Sequence, residues 1–236
     1  MKTWAFIPAR GGSQSIEMKN MLRLNEIPLV GWVLNAALEY GFKKVIVSTD
    51  NETIAEYCKR NGRDSVEIVE RPTHLRDGLS YPIQDVVTDY LSKSKDLKKP
   101  DAIALFQPTS PFVRQYQIEH LLMLLNKRVG IRSAYTVASI PHNYHWVNQR
   151  TKDDQEIRLI NPRKRKTAYN KHRKDKTYSF GNLVVTKCPY IKDGFFAEPS
   201  MCLEIDRFDA MDIDMIDDYR IAETLIKAGY WENGSR

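Results

Sequence analysis

What most constrains this chain is a repeated change of hydrophobic period. Five short apolar runs, Thr3–Ile7, Lys44–Ser48, Val66–Val69, Asp101–Phe106 and Ser133–Ala138, have strand length and strand composition. Between them the spacing switches to i, i+3, i+4, which predicts helices over Leu29–Tyr40, Asn51–Arg60, Pro82–Ser92 and Gln115–Leu125. Strands separated by helices require right-handed crossovers, so the expected fold is α/β, a mostly parallel sheet with helices on both faces. Ligands in such sheets bind outside the carboxyl ends of the strands. Chemistry is therefore to be sought just after Ile7, Ser48, Val69 and Phe106.

The pattern breaks after Ile140. Residues 141–179 are polar and rich in Arg, Lys, His, Asn and Gln, and read as an excursion inserted between two parts of one domain, 1–140 and 180–236. A strand is expected again at Asn182–Thr186, and a helix at Met215–Ala228 with Asp217 and Asp218 suited to its N-terminus. A chain of 236 residues fits one large core plus a small appendage. No apolar run approaches the roughly 18 residues of a membrane span, which excludes an α-helical membrane protein. The opening MKTWAFIPARGG reads as a first strand and not as a signal peptide. Three cysteines (Cys58, Cys188, Cys202) without ligand spacing give neither a disulfide framework nor a zinc site, in keeping with a cytoplasmic protein. The net charge of +6 favours an anionic ligand without choosing between a nucleotide and a nucleic acid.

The most informative segment is Ile7–Asn20, IPARGGSQSIEMKN. A strand runs straight into Arg10, Gly11, Gly12 and Ser13, with Lys19 and Asn20 close behind. Adjacent glycines let backbone amides approach a triphosphate, and Arg10 and Lys19 supply charge, so the loop can cradle phosphates. It matches neither GxxxxGK[ST] nor GxGxxG, and a plain glycine turn with two solvated cations is the alternative. Asp212 and Asp214, at i and i+2 on an extended segment, project to one side and can share a divalent cation; an acidic turn capping the next helix is the other reading. The Gln107–Pro111 turn, QPTSP, puts an amide and two hydroxyls (Thr109, Ser110) at the mouth of a buried strand, as a ligand site or simply as a proline-stiffened loop. His142 and His145 could hold a metal only on a helix, and Pro141 favours a loop.

Taken in order, these motifs resemble those of the acylneuraminate cytidylyltransferases, the CMP-sialic acid synthetases. That family's first strand is followed by a pattern close to I-P-A-R-G-G-S-K-G-I-P-x-K-N. STDN (Ser48–Asn51), Arg71–Pro72, FQPTSPF (Phe106–Phe112) and DIDMIDDY (Asp212–Tyr219) match further motifs in the family's order. The resemblance spans nearly the whole chain. It implies a Rossmann-like fold, a homodimer, and transfer of CMP from CTP to a nine-carbon 2-keto-3-deoxy sugar acid with Mg2+. In that reaction the anomeric hydroxyl attacks the α-phosphate and pyrophosphate leaves. Arg10, Gly11, Gly12, Ser13 and Lys19 would then hold the triphosphate; Asn20, Arg71 and Ser80 would lie near cytosine or ribose. Asp212 and Asp214 would hold the metal, with Arg10, Lys19 and Asp214 closest to the chemistry. Gln107, Thr109, Ser110 and Asn182 would face the sugar, and Arg173 would reach a partner's site from the swapped segment. Two departures stand out. Gln14 and Ser15 occupy positions where the family usually has Lys-Gly, and Phe180–Val184 replaces the family's N-G-A-I-Y.

Two rivals make different predictions. A nucleotide-sugar glycosyltransferase also joins a parallel sheet to a DxD motif, but carries that motif mid-chain, whereas Asp212 and Asp214 lie near the C-terminus here. A nucleic-acid-binding protein would use the basic run Asn161–Lys176 and leave the Arg10–Ser13 loop unexplained. The expectation is therefore an enzyme with neither nucleic acid nor membrane as partner.

Overall fold

The structure is a computed structural model that describes residues 1–13, 15–62, 64–72, 82–127, 129–140, 148–150, 157–159 and 177–231, with 148–150 and 157–159 described as backbone. Its centre is built from β1 (Thr3–Pro8), β4 (Val45–Thr49), β5 (Val66–Glu70) and β6 (Ala102–Phe106), all parallel. A small hairpin, β2 (Arg23–Leu24) and β3 (Ile27–Pro28), leads into α1 (Leu29–Tyr40). Then come α2 (Glu52–Asn61), α3 (Ile83–Lys93) and α4 (Gln115–Lys127), the crossovers expected from the change of period. β7 (Ser133–Ser139) follows, then the hairpin β8 (Asn148–Arg150) and β9 (Ile157–Leu159) within the basic excursion. The chain closes with β10 (Tyr178–Lys187), β11 (Ser200–Glu204) and α5 (Ile216–Lys227).

Seven strands form one sheet in the order β11-β7-β10-β6-β1-β4-β5. β10 runs antiparallel to both β6 and β7, and the other pairings are parallel. Residues of β4 and β6 are buried throughout, as strands covered on both faces must be. Ala5, Ile7, Val45, Val47, Ala104 and Phe106 face α1, α2 and α4, whose Val33, Ala37, Ile54, Ile118 and Leu121 complete that core. Trp4, Phe6, Ile46, Ile103 and Leu105 point the other way, against Val86, Val87 and Tyr90 of α3. A third cluster, Leu24, Leu29, Trp32, Phe112, Ile213 and Ala222, fastens α5 and the segment before it to the rest. Truncating a fully buried residue such as Ile103 to Ala costs about 2–5 kcal/mol.

Candidate active site

The carboxyl ends of β1, β5 and β6 open into a cleft of about 300 Å3. Arg10, Ser13, Lys19, Asn20, Arg71, Gln107, Thr109 and Asp214 all line it, so residues more than 200 positions apart in sequence meet at one place. Pro8, Pro108, Pro82 and Ile83 supply its apolar wall.

Each side is held by a local device. After β1 the Gly11 N–H donates to Asp50 Oδ1 at 2.8 Å, and Asn20 Nδ2 donates to the Arg10 carbonyl at 2.7 Å, which folds the glycine loop back over the sheet. A Cβ on Gly11 would lie 2.8 Å from the Asn51 side chain, so glycine is needed there for close approach; a Cβ on Gly12 meets nothing. Asn51 caps α2 by accepting from the Ile54 N–H at 3.1 Å. Arg71 follows β5, is 5% exposed, and donates its backbone N–H to the Thr49 carbonyl at 2.9 Å. Burial pulls its guanidinium pKa down, Asp50 pushes it up and nearby Arg10 pulls it down again. These opposing effects place three charged groups around one space.

The acidic segment is docked by its middle residue. Ile213 is fully buried, and its N–H donates to the Thr109 carbonyl at 2.7 Å. Asp212 and Asp214 therefore emerge together on the opposite side. Ser110 Oγ donates to Asp212 Oδ1 at 3.2 Å, and Lys19 Nζ reaches Asp214 Oδ1 at 2.9 Å and its carbonyl at 3.2 Å. Asp218 Oδ2 accepts from the Met215 and Asp214 N–H groups, so the start of α5 fixes the same turn. Desolvation by the cleft walls raises the Asp212 pKa, the Thr109 hydrogen bond lowers it, and the Asp214 charge raises it. With its side chain 65% exposed, Asp214 holds Lys19 by a pair worth at most about 1 kcal/mol, which leaves the lysine able to turn to another anion.

Three cations (Arg10, Lys19, Arg71) thus line the cleft with Asp214, and Asp50 and Asp212 stand next to it, bonded to Gly11 and Ser110. Such a site has no surplus positive charge for a triphosphate unless a cation joins it. Asp212 and Asp214 match what Mg2+ takes from a protein, one or two carboxylates with water and substrate phosphates filling the remaining positions. Among the described residues there is no group of three or more His, Cys, Asp or Glu that could hold a metal.

Two expected residues are placed elsewhere. Asn182 is fully buried in β10 and its amide is engaged by Phe112, Gln117, Asp209 and Thr136, so the structure corrects the sequence reading that turned it toward the sugar. Ser110, 1% exposed, supports Asp212 and does not open into the cleft. Gly11 and Gly12 form the loop behind Arg10 and Ser13. Gln14, Ser80, Arg173, His142 and His145 lie outside the described residues. Asp50 and the Arg114–Asp209 pair were not singled out from sequence; STDN was the signal for the former, and nothing local marks the latter. A larger groove, about 570 Å3 between β5 and α3, is not the site. Its Lys44 is already held by Glu67 and Asp96, each at 2.5 Å, and of the motif residues only Ser48 and Pro72 face it.

The chain matches the cytidylyltransferase family model over residues 4–193. It belongs to the cytidylyltransferase family. N-acylneuraminate cytidylyltransferase A of Danio rerio is 32% identical over 143 residues, 60% of this chain and 31% of that protein. N-acylneuraminate cytidylyltransferase of Streptococcus agalactiae serotype V is 34% identical over 127 residues, 52% of this chain and 29% of that protein. The chain thus spans about a third of the length of the curated relatives it matches. A CMP:2-keto-3-deoxy-manno-octonic acid synthetase complexed with CTP superposes with a TM-score of 0.69 at 14% identity, covering 97% of this chain and 100% of that one. A 4-diphosphocytidyl-2C-methyl-D-erythritol synthase from Anaerococcus prevotii gives 0.64 at 10% identity, covering 95% and 96%. These two likenesses establish the fold of this cytidylyltransferase, a Rossmann-like, mostly parallel sheet with helices on both faces.

Proposed function

We propose that this cytidylyltransferase activates a sialic-type nine-carbon 2-keto-3-deoxy sugar acid with CTP, giving the CMP-sugar and pyrophosphate. The observation that carries the reading is the convergence of Arg10, Ser13, Lys19, Arg71, Gln107 and Asp214 on one cleft, with Asp212 two residues from Asp214 and held by Ser110. The names of the curated relatives support the class of acid.

No covalent enzyme intermediate is needed, so the work is positioning and charge stabilisation. The side chains of Arg10, Ser13 and Lys19 and the Gly12 amide bind the phosphates, while Gly11, its N–H held by Asp50, sets the path of the loop. Lys19 leaves Asp214 for them, freeing that carboxylate. Arg71 donates to the acceptor edge of cytosine, with Asn20 and Ser80 at the base or ribose. Gln107 and Thr109 orient the sugar hydroxyls and N-acyl group, and Arg173 from a second subunit faces its carboxylate. Asp212 and Asp214 would hold Mg2+, which when bound offsets charge on the phosphates and lowers the pKa of the attacking hydroxyl. One of the two carboxylates takes the proton of that hydroxyl as the anomeric oxygen attacks the α-phosphate and pyrophosphate departs. We place the reaction in a cytoplasmic homodimer with residues 141–179 at its interface. Phosphorus NMR of the chain with CTP, Mg2+ and N-acetylneuraminic acid tests the reading. The expected spectrum shows one phosphodiester and free pyrophosphate in equal amounts. Nucleoside diphosphate and orthophosphate would mean hydrolysis and refute transfer.

A further inference from the structure

Five side chains behind the cleft form one buried polar cluster, and none of them lines the cleft. In β10 the pairing with β7 loses register between Phe180 and Val184. Gly181 lies in that gap, where a Cβ would stand 2.5 Å from Thr136 Oγ1. The Thr136 hydroxyl accepts the N–H groups of Asn182 and Leu183, at 2.8 and 3.0 Å, and donates to Asn182 Oδ1 at 3.0 Å. The Asn182 amide then donates to the Phe112 carbonyl at 2.7 Å, the Asp209 carbonyl at 2.9 Å and Gln117 Oε1 at 2.9 Å. Gln117 Nε2 donates to Asp209 Oδ2 at 3.0 Å, and its Oε1 accepts from the Arg114 N–H at 3.1 Å. Arg114 Nε bridges both oxygens of Asp209 at 2.9 and 2.8 Å.

Phe112 ends the turn that carries Thr109 and Ser110, and Asp209 stands three residues before Asp212. We propose that Asn182, with Gln117, Arg114 and Asp209, is a positioning residue for the metal-binding carboxylates. It clamps the 209–214 segment to the 109–114 segment from behind, while the Ile213–Thr109 and Ser110–Asp212 bonds clamp it from the front. A satisfied buried network of this kind fixes one geometry, and outer partners of this sort tune metal sites by about 10- to 100-fold. The inference rests on the proposed CTP chemistry at Asp212 and Asp214.

The test is Asn182→Ala in the full chain, read by calorimetric CTP binding with and without Mg2+, by turnover, and by thermal melting. Ile103→Ala, which opens the core packed against α3 and touches none of the five side chains, serves as control. The expected result is a rise of about tenfold in the Mg2+ concentration needed for tight CTP binding and a matching fall in kcat, with metal-free CTP affinity unchanged. Ile103→Ala lowers the melting temperature alone. Wild-type Mg2+ dependence and kcat in a merely less stable Asn182→Ala would overturn the proposal. Should that variant fail to fold, Thr136→Val and Arg114→Lys are held to the same two readouts, and wild-type values in both overturn it equally. Absence of Mg2+-dependent CTP binding in the wild type would refute the proposed function itself, and this inference with it.

Discussion

Gly11 and Gly12 are neighbours with unequal duties. The first lies against Asn51 with no room for a Cβ, and the second faces open space. Gly11→Ala is expected to shift the phosphate loop and weaken CTP binding about fivefold or more, by analogy with overpacking costs of about 1–3 kcal/mol, while Gly12→Ala keeps the wild-type melting temperature. Calorimetry and a thermal melt decide both. Asp212→Ala and Asp214→Ala should each abolish turnover and leave the melt of the sheet intact; turnover at the wild-type rate in either would remove that carboxylate from the site. The cysteines report on the same packing. Burial pushes the Cys58 thiol up to about 12 and the Cys188 thiol up to about 11. A thiol so raised is almost wholly protonated at pH 8, and only the thiolate reacts. Disulfide-exchange labelling at pH 8 should therefore modify exposed Cys202 quickly and Cys58 only after unfolding. Fast labelling of all three would contradict the packing around α2.

At the scale of elements, the helices and central strands were legible because each is covered in a simple way. α1 coincides with the predicted Leu29–Tyr40, since its apolar run, buried over most of its length, and the left-handed Gly41 after it are both local signals. β11 was missed: Ser200–Glu204 sits at the sheet edge, half exposed, without the apolar run that marks an inner strand. The β2–β3 hairpin was also missed, because its turn residues Asn25 and Glu26 both take positive φ, and glutamate gives no warning of that. The reversed direction of β10 follows from long-range pairing and leaves no trace in the NLVVT run. For the site, the loops at strand ends were legible because glycines, prolines and charges must cluster there. Asn182 was misread for a physical reason: an asparagine after a strand start looks alike whether its amide meets a ligand or three carbonyl-type acceptors of its own chain. α5 carries a prediction at this scale. Asp218→Ala removes the acceptor for two N–H groups at its start and should cost about 1 kcal/mol, while raising the Mg2+ requirement through the loosened Asp214 turn; a denaturant melt and a metal titration read the two effects.

On the scale of the whole molecule, the cleft draws its residues from both parts of the chain that flank the excursion, and the proposed dimer would complete it with Arg173. Mixing settles that directly. Asp212→Ala and Arg173→Ala are each expected to be inactive alone, and a random mixture of their subunits should recover about a quarter of wild-type activity, since half the dimers carry one intact site of two. No recovery, in a mixture shown to exchange subunits, would place Arg173 outside the partner's site. Among the described residues no helix is long and apolar enough to cross a membrane.

The central claim is that the Arg10–Ser13 loop, the Arg71 pocket and the Asp212–Asp214 pair select CTP and transfer its CMP group to a sialic-type acid. The most direct measurement is pyrophosphate release with Mg2+, pairing each of CTP, UTP, ATP and GTP with N-acetylneuraminic, legionaminic, pseudaminic and eight-carbon keto-deoxy acids. Release confined to CTP with a nine-carbon acid is the predicted result. Release that prefers another nucleotide, or that requires the eight-carbon acid, or that no pair produces, would contradict it.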